Sequence, residues 1–191
     1  MTRSSLLVCM AAVGVAACGA EPLRNNGDID PADFSGPITG ARDGHLLGDI
    51  GPAEGINAPA TRINSWDDGT YLAVDAVAQL EDRAAMLFLS ASNAAELFVP
   101  GTEQTFTFND YYDYEVGQPQ IGLLGCVGQA IDVYDQYDAA ADEIDVIVQP
   151  ATDGGPGDID VEIVGRWFIE APTDGAVSTR EARGSFVLER E

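Results

Sequence analysis

The residues of this chain best suited to chemistry are carboxylates, gathered in three clusters: DIDPAD at Asp28 to Asp33, NDYYDYE at Asn109 to Glu115, and DGGPGDID at Asp153 to Asp160. Calcium takes six to eight converging oxygens. Asp110, Asp113, Glu115, Asp153, Asp158 and Asp160 are therefore the candidate ligands for a calcium ion, the one cofactor this composition invites. The first cluster departs from the EF-hand loop, because counting from Asp28 puts Ala32 at position five, Asp33 at the glycine position and Thr39 where a bidentate Glu belongs. Among 32 acids such clusters also arise by chance, and solvated loops are the simpler expectation. Tyr111, Tyr112 and Tyr114 share the second cluster. Exposed there, they would stack on a sugar or anchor a protein partner; as strand-edge residues they would be partly buried.

The basic side chains exclude more than the acids suggest. All nine are Arg and none is Lys, and the formal charge is −23. Schiff-base catalysis, pyridoxal phosphate attachment and the phosphate-binding loop each need a lysine amine. His45 is the single histidine and no GxSxG elbow accompanies it, so a Ser/His/Asp triad has no support. Carboxylate pairs occur almost everywhere, and spacing singles out none for a glycosidase or other hydrolase. The balance points away from an enzyme and toward a binding or structural module. Nucleic acid is excluded as a partner because this surface repels phosphates. An acidic, lysine-free surface also suits a high-salt habitat or a GC-rich genome, and it keeps the domain off anionic lipid.

Elements to carry these residues begin with the amino terminus, MTRSSLLVCMAAVGVAACGA. Arg3 precedes an apolar stretch from Leu6 to Val15 with small residues after it, the layout of a secretory signal. The uncharged run from Ser4 to Ala20 would reach about 26 Å as a helix, short of the roughly 30 Å hydrocarbon core. Val15, Ala16, Ala17 and Cys18 resemble the lipobox of bacterial lipoproteins, with Val where that family most often carries Leu. The resemblance covers the first twenty residues. It implies cleavage before Cys18, diacylglycerol on the Cys18 sulfur and an acylated amine, so that the membrane is reached through acyl chains on Cys18. Two or three chains anchor stably where one does not. Gly19, rather than Asp, follows the cysteine, which by the same resemblance favours the bacterial outer membrane, on its periplasmic or its outer face. The expected organisation is a signal peptide over 1–17, a flexible acidic tether over 18–35 broken by Pro22 and Pro31, and one domain over 36–191 whose partner is an envelope protein or glycan.

Loss of Cys9 with the signal and acylation of Cys18 would leave Cys126 without a disulfide partner. It sits in the apolar run IGLLGCVG, where a small buried hydrophobe is expected. One His and one Cys are too few for zinc.

Beyond the tether, short runs of period-two alternation are separated by Gly, Pro and Asp, an all-β signature. Asp67, Asp68 and Gly69 predict a hairpin turn in TRINSWDDGTYLAVDAVAQ, flanked by Trp66 and Tyr71. DIDVEIVGRWFIE places Ile159, Val161, Ile163, Trp167 and Ile169 on one face and Asp158, Asp160, Glu162 and Arg166 on the other. Further strands are expected at Pro37 to Leu47, Ala84 to Ser90, Thr105 to Asn109, Gln120 to Gln129, Glu143 to Gln149 and Gly184 to Arg190. About nine strands with short connections predict an antiparallel β-sandwich, with a β-barrel as the alternative. Asn93 is expected to cap one helical turn with Glu96 three residues on. In IDVYDQYDAAADEID, Asp132, Asp135, Asp138 and Asp142 repeat at helical spacing, but a polar loop entering a strand at Glu143 is the preferred reading. Gly40, Gly44, the Trp66 hairpin, the PGT after Val99 and the closing Gly184, Ser185, Phe186 make the domain similar to uncharacterised bacterial lipoprotein β-sandwich domains, a likeness that implies a fold and no activity.

Overall fold

The computed structural model describes residues 34, 36–50, 53–107, 119–128, 137–171 and 175–191. They form eleven strands: β1 (Ile38–Ile50), β2 (Ala53–Pro59), β3 (Arg62–Asp67), β4 (Tyr71–Gln79), β5 (Ala84–Ser92), β6 (Thr102–Thr107), β7 (Gln120–Gly128), β8 (Tyr137–Ala140), β9 (Glu143–Pro150), β10 (Ile159–Glu170) and β11 (Val177–Arg190), with one helical turn, α1 (Ala94–Leu97). All strand pairs are antiparallel and build two sheets, ordered β2-β1-β11-β10-β9-β6 and β3-β4-β5-β7-β8. Neither sheet closes on itself, so the fold is a β-sandwich and not a barrel.

Alternation makes the core. Leu72, Val74, Ala76 and Ala78 of β4, Leu87 and Leu89 of β5, and Ile121 and Leu123 of β7 lie in one buried cluster with Val146 and Val148 of β9, Ile159, Val161 and Ile163 of β10, and Phe186 and Leu188 of β11. Each of the larger side chains, the alanines aside, contributes roughly 1.5–3 kcal/mol by leaving water. Trp167 joins them at 5% exposure. Its ring occupies a slot that glycine keeps open: a Cβ on Gly165 would meet the Trp167 ring at 2.7 Å, and one on Gly125 would meet it at 3.0 Å.

The β3–β4 hairpin turns where expected. Gly69 takes φ +84°, and Trp66 and Tyr71 flank the turn with ring centroids 5.8 Å apart. The buried face of β10 is also the expected one, and Cys126 is buried.

Three expectations are corrected. There are eleven strands in place of about nine, because β2 and β8 were not foreseen. AEGINAP carries one large apolar residue, Ile56, and so shows no alternation to read. YDAA falls in the run read as a polar loop, yet it pairs with β7 through Leu124↔Ala140, Gly125↔Ala139 and Cys126↔Asp138. Asn93 precedes α1 but makes no side-chain cap: it adopts φ +54°, and its carbonyl receives the amides of Glu96 and Leu97.

Candidate functional site

Most ion pairs among the described residues lie on the six-stranded sheet, and strand register explains which residues meet there. Between Arg42 and His45 the β1 strand bulges, with Asp43 at φ +54°. The extra residue restores the phase, so that both Arg42 and His45 face outward. Two rows then cross the sheet side by side. Arg42, Val187, Asp160 and Gln149 form the first; His45, Ser185, Glu162 and Ile147 form the second. All of these but His45, together with Asp43, Thr152 and Asp153, line an open groove of about 500 Å³.

Ion pairs order this face. Arg42 Nη2 donates to Asp158 Oδ2 at 3.2 Å and to the Asp153 carbonyl at 2.5 Å, its Nε donates to Glu189 Oε1 at 3.1 Å, and its Nη1 reaches Asp43. Further along, Arg166 serves three carboxylates, with Glu143 at 2.5 Å, Asp145 at 2.6 Å and Glu181 at 3.3 Å. Arg183 joins Glu162 at 3.2 Å to Glu181 at 2.9 Å. The guanidinium fork suits such shared contacts.

These contacts decide how the carboxyls titrate. Burial would raise the Asp145 carboxyl, but hydrogen bonds from Arg166 and Thr105 and the charge of Arg166 outweigh it and hold it below the ordinary range. Asp158 follows the same logic. Burial opposes its charge, while the Gly155 amide, Arg42 and the Arg190 amide hold it ionised and low. Arg166 is raised, chiefly by its hydrogen bond to Asp145. A glycosidase acid requires a carboxyl pushed the other way. The two displaced carboxyls on this face are thus favoured as anions and are hydrogen-bonded to neighbouring strands.

Of the sequence candidates, Asp153, Asp158 and Asp160 are described; Cys18, Asp110, Tyr111, Tyr112, Asp113, Tyr114 and Glu115 lie outside the described residues. Asp153 is exposed, Asp160 sits in the groove, and Asp158 is only 7% exposed. Asp158 lies on the polar face of its strand, as expected, but the expectation of a solvated acidic loop is corrected, because Arg42 and the turn over 153–157 cover it there. Its Oδ2 accepts from Gly155 N at 3.0 Å and from Arg42, and its Oδ1 accepts from Arg190 N at 3.3 Å. A carboxylate whose two oxygens face donors is not presented to a cation. Among the described residues no group of three or more His, Cys, Asp or Glu is placed to hold a metal ion. Sequence reading missed Arg42, Asp145 and Arg190 as organisers. The available signal was compositional: with nine arginines among 32 acids, one arginine can meet several carboxylates, as Arg42, Arg166 and Arg183 do, but only register says which.

No protein-family model, curated protein or solved structure matches this chain.

Proposed function

We propose that the chain is a lipid-anchored protein of the bacterial envelope, held at the outer membrane by acyl chains on Cys18, whose β-sandwich serves as a non-enzymatic binding or structural module. The observation that carries this reading is the VAAC sequence at Val15 to Cys18 behind an apolar stretch and Arg3. The fold is compatible with it. The first strand begins at Ile38, twenty residues after Cys18, and among the described residues the buried core runs from Ile38 to Leu188 with Phe34 packed against it. The ordered outer face of the six-stranded sheet supports the non-enzymatic half, since its displaced carboxyls are fixed as anions by arginine.

The test is the intact mass of the native protein from its own cells, which should begin at Cys18 and carry diacylglycerol. Cys18→Ala should move the protein from the membrane fraction to the soluble fraction or leave its signal uncleaved. An unmodified mature chain starting elsewhere would defeat the proposal.

A further inference from the structure

The chain enters the sandwich at an end that the structure holds rigidly. Arg190, 8% exposed at the close of β11, donates from Nη1 to the carbonyls of Phe34 and, at 3.2 Å, Gly36, and from Nη2 to the carbonyl of Phe98 at 3.2 Å. The Glu191 amide reaches the Pro37 carbonyl at 3.4 Å. One residue into β1, the Ile38 amide donates to Asp67 Oδ2 at 2.9 Å, which fixes the entry point against the β3–β4 turn. That turn is itself tightly bonded. Asp67 Oδ1 accepts from Gly69 N at 2.7 Å, and Asp68 Oδ1 accepts from Thr70 N, Thr70 Oγ1 and Tyr71 N at 3.0, 2.8 and 2.9 Å.

Next to Asp67 stands Trp66, 56% exposed and tilted at 53° against Tyr71. The described residues leave four large hydrophobic side chains exposed: Leu47, Trp66, Phe168 and Val177. Leu47 pairs with Arg183, in the middle of the sheet. Phe168 and Val177 lie where β10 ends and β11 begins, the far end of these strands from Arg190. Of these four, only Trp66 stands at the end where the chain enters.

We propose that the Trp66–Tyr71 corner is the membrane-facing end of the domain and that its occupant is the interfacial layer of a zwitterionic bilayer. This rests on the lipid anchor proposed above. Sixteen residues separate Cys18 from Phe34, so an anchor at Cys18 keeps this corner within about 54 Å of the lipid at full extension, and within roughly 22 Å on average if the spacer behaves as a coil. Tethering on that scale raises the effective concentration to the millimolar range, where a weak contact becomes populated. Tryptophan and tyrosine prefer the interface because their rings are apolar with one polar edge. Asp67 and Asp68 beside them disfavour anionic lipid, which restricts the occupant to a zwitterionic surface.

Tryptophan emission tests this directly, because the chain has only two tryptophans and the other, Trp167, is in the core. The chain from Cys18 onward is made without acylation and joined through the Cys18 thiol to a maleimide phospholipid in phosphatidylcholine vesicles containing brominated acyl chains; Cys126, 4% exposed, stays unreacted. Coupled protein should lose up to about half of its emission, the share of one ring in two, and Trp66→Phe should lose none while keeping the Trp167 signal that shows it folded. Replacing a third of the lipid by phosphatidylglycerol at low salt should remove the quenching, and added salt should restore it. Absent quenching in the coupled protein would overturn the proposal, as would equal quenching in Trp66→Phe. A Trp66 emission shift with soluble saccharides and none with lipid would replace the bilayer by a glycan and overturn it too. Because coupling is chemical, these outcomes are independent of whether Cys18 is acylated in the cell, which the intact mass decides.

Discussion

Replacing Asp158 by Asn or Ala tests whether its carboxylate is structural. It accepts from Gly155 N at 3.0 Å, Arg42 Nη2 at 3.2 Å and Arg190 N at 3.3 Å, and it is 7% exposed. Alanine removes the acceptor that all three donors share. The Arg190 amide is in a buried residue, and an unsatisfied buried donor costs about 1–3 kcal/mol. Arg42 is 30% exposed and keeps Glu189 and Asp43, so loss of its Asp158 contact is screened and costs roughly 0.5–1 kcal/mol. Gly155 is exposed and its amide turns to water. The sum is about 1.5–4 kcal/mol. Asparagine should do little better. With its oxygen toward Gly155 and Arg42, its NH2 faces the Arg190 amide, donor against donor. Urea unfolding followed by tryptophan emission, with a slope of about 1–3 kcal/mol per molar, should show the midpoint fall by roughly 1–2 M. The difference is pH-dependent with a definite sign. Because the folded carboxyl lies below its ordinary value of about 3.9, its stabilisation is complete above that value and is lost as pH falls through the folded one, so wild type and Asp158→Asn converge below about pH 4. A loss under about 0.5 kcal/mol, within the range of an ordinary surface change, would refute the reasoning. So would a stabilisation by calcium that Asp158→Asn abolishes, since it would mean that the carboxylate serves a cation and not Arg42.

Three further outcomes follow from the same geometry. Trp167→Ala should cost about 3–5 kcal/mol in the same assay, and Gly165→Ala about 1–3 kcal/mol, because a Cβ there would sit 2.6 Å from Leu123 and 2.7 Å from the Trp167 ring; a loss below about 1 kcal/mol for Trp167→Ala would place the ring outside the core. Arg166→Met should destabilise at neutral pH by leaving Glu143, Asp145 and Glu181 mutually exposed, and salt should recover part of the loss; equal midpoints at low and high salt would count against the network. Millimolar calcium should raise the melting temperature no more than monovalent salt of equal ionic strength, as charge screening requires, whereas an excess for calcium would revive a site built on Asp110, Asp113 and Glu115.

The residues that were legible in the sequence are those whose neighbours in the chain also decide their environment. Ile159, Val161, Ile163 and Trp167 declare a buried face because alternation is local, and Asp67, Asp68 and Gly69 declare a turn for the same reason. Parity along β10 put Asp158 on the right face, the one that carries Asp160, Glu162 and Arg42, but could not show that it is buried there. It stands one residue before that strand, and the turn over 153–157 folds it beneath Arg42, 116 residues away in sequence. The charge face failed to appear for a similar reason. Glu143, Asp145, Arg166 and Glu181 become neighbours only through the registers β9–β10 and β10–β11, and no local pattern encodes a register. β2 and β8 are edge strands, each needing only one hydrogen-bonded side and little apolar content.

Pairing of β1 with β11 joins the first strand to the last and places both inside the six-stranded sheet, so the sandwich is completed only when the ends of the described domain meet. Arginines sit along that closure. Arg42 bonds Glu189 across 147 residues, Arg190 bonds Gly36 across 154, and Arg183 links β11 to Glu162 of β10. In a chain with 32 acids, a cation near the seam can meet carboxylates of more than one strand at once, as Arg42 and Arg183 do, and hold their directions. A lysine ammonium is a compact charge without directional preference, while a guanidinium presents five donors in a fixed plane. The absence of lysine, which first served to exclude chemistries, therefore also has a structural consequence: at Arg42, Arg166 and Arg183 the charge that offsets the acids is also a planar hydrogen-bonding bridge between strands.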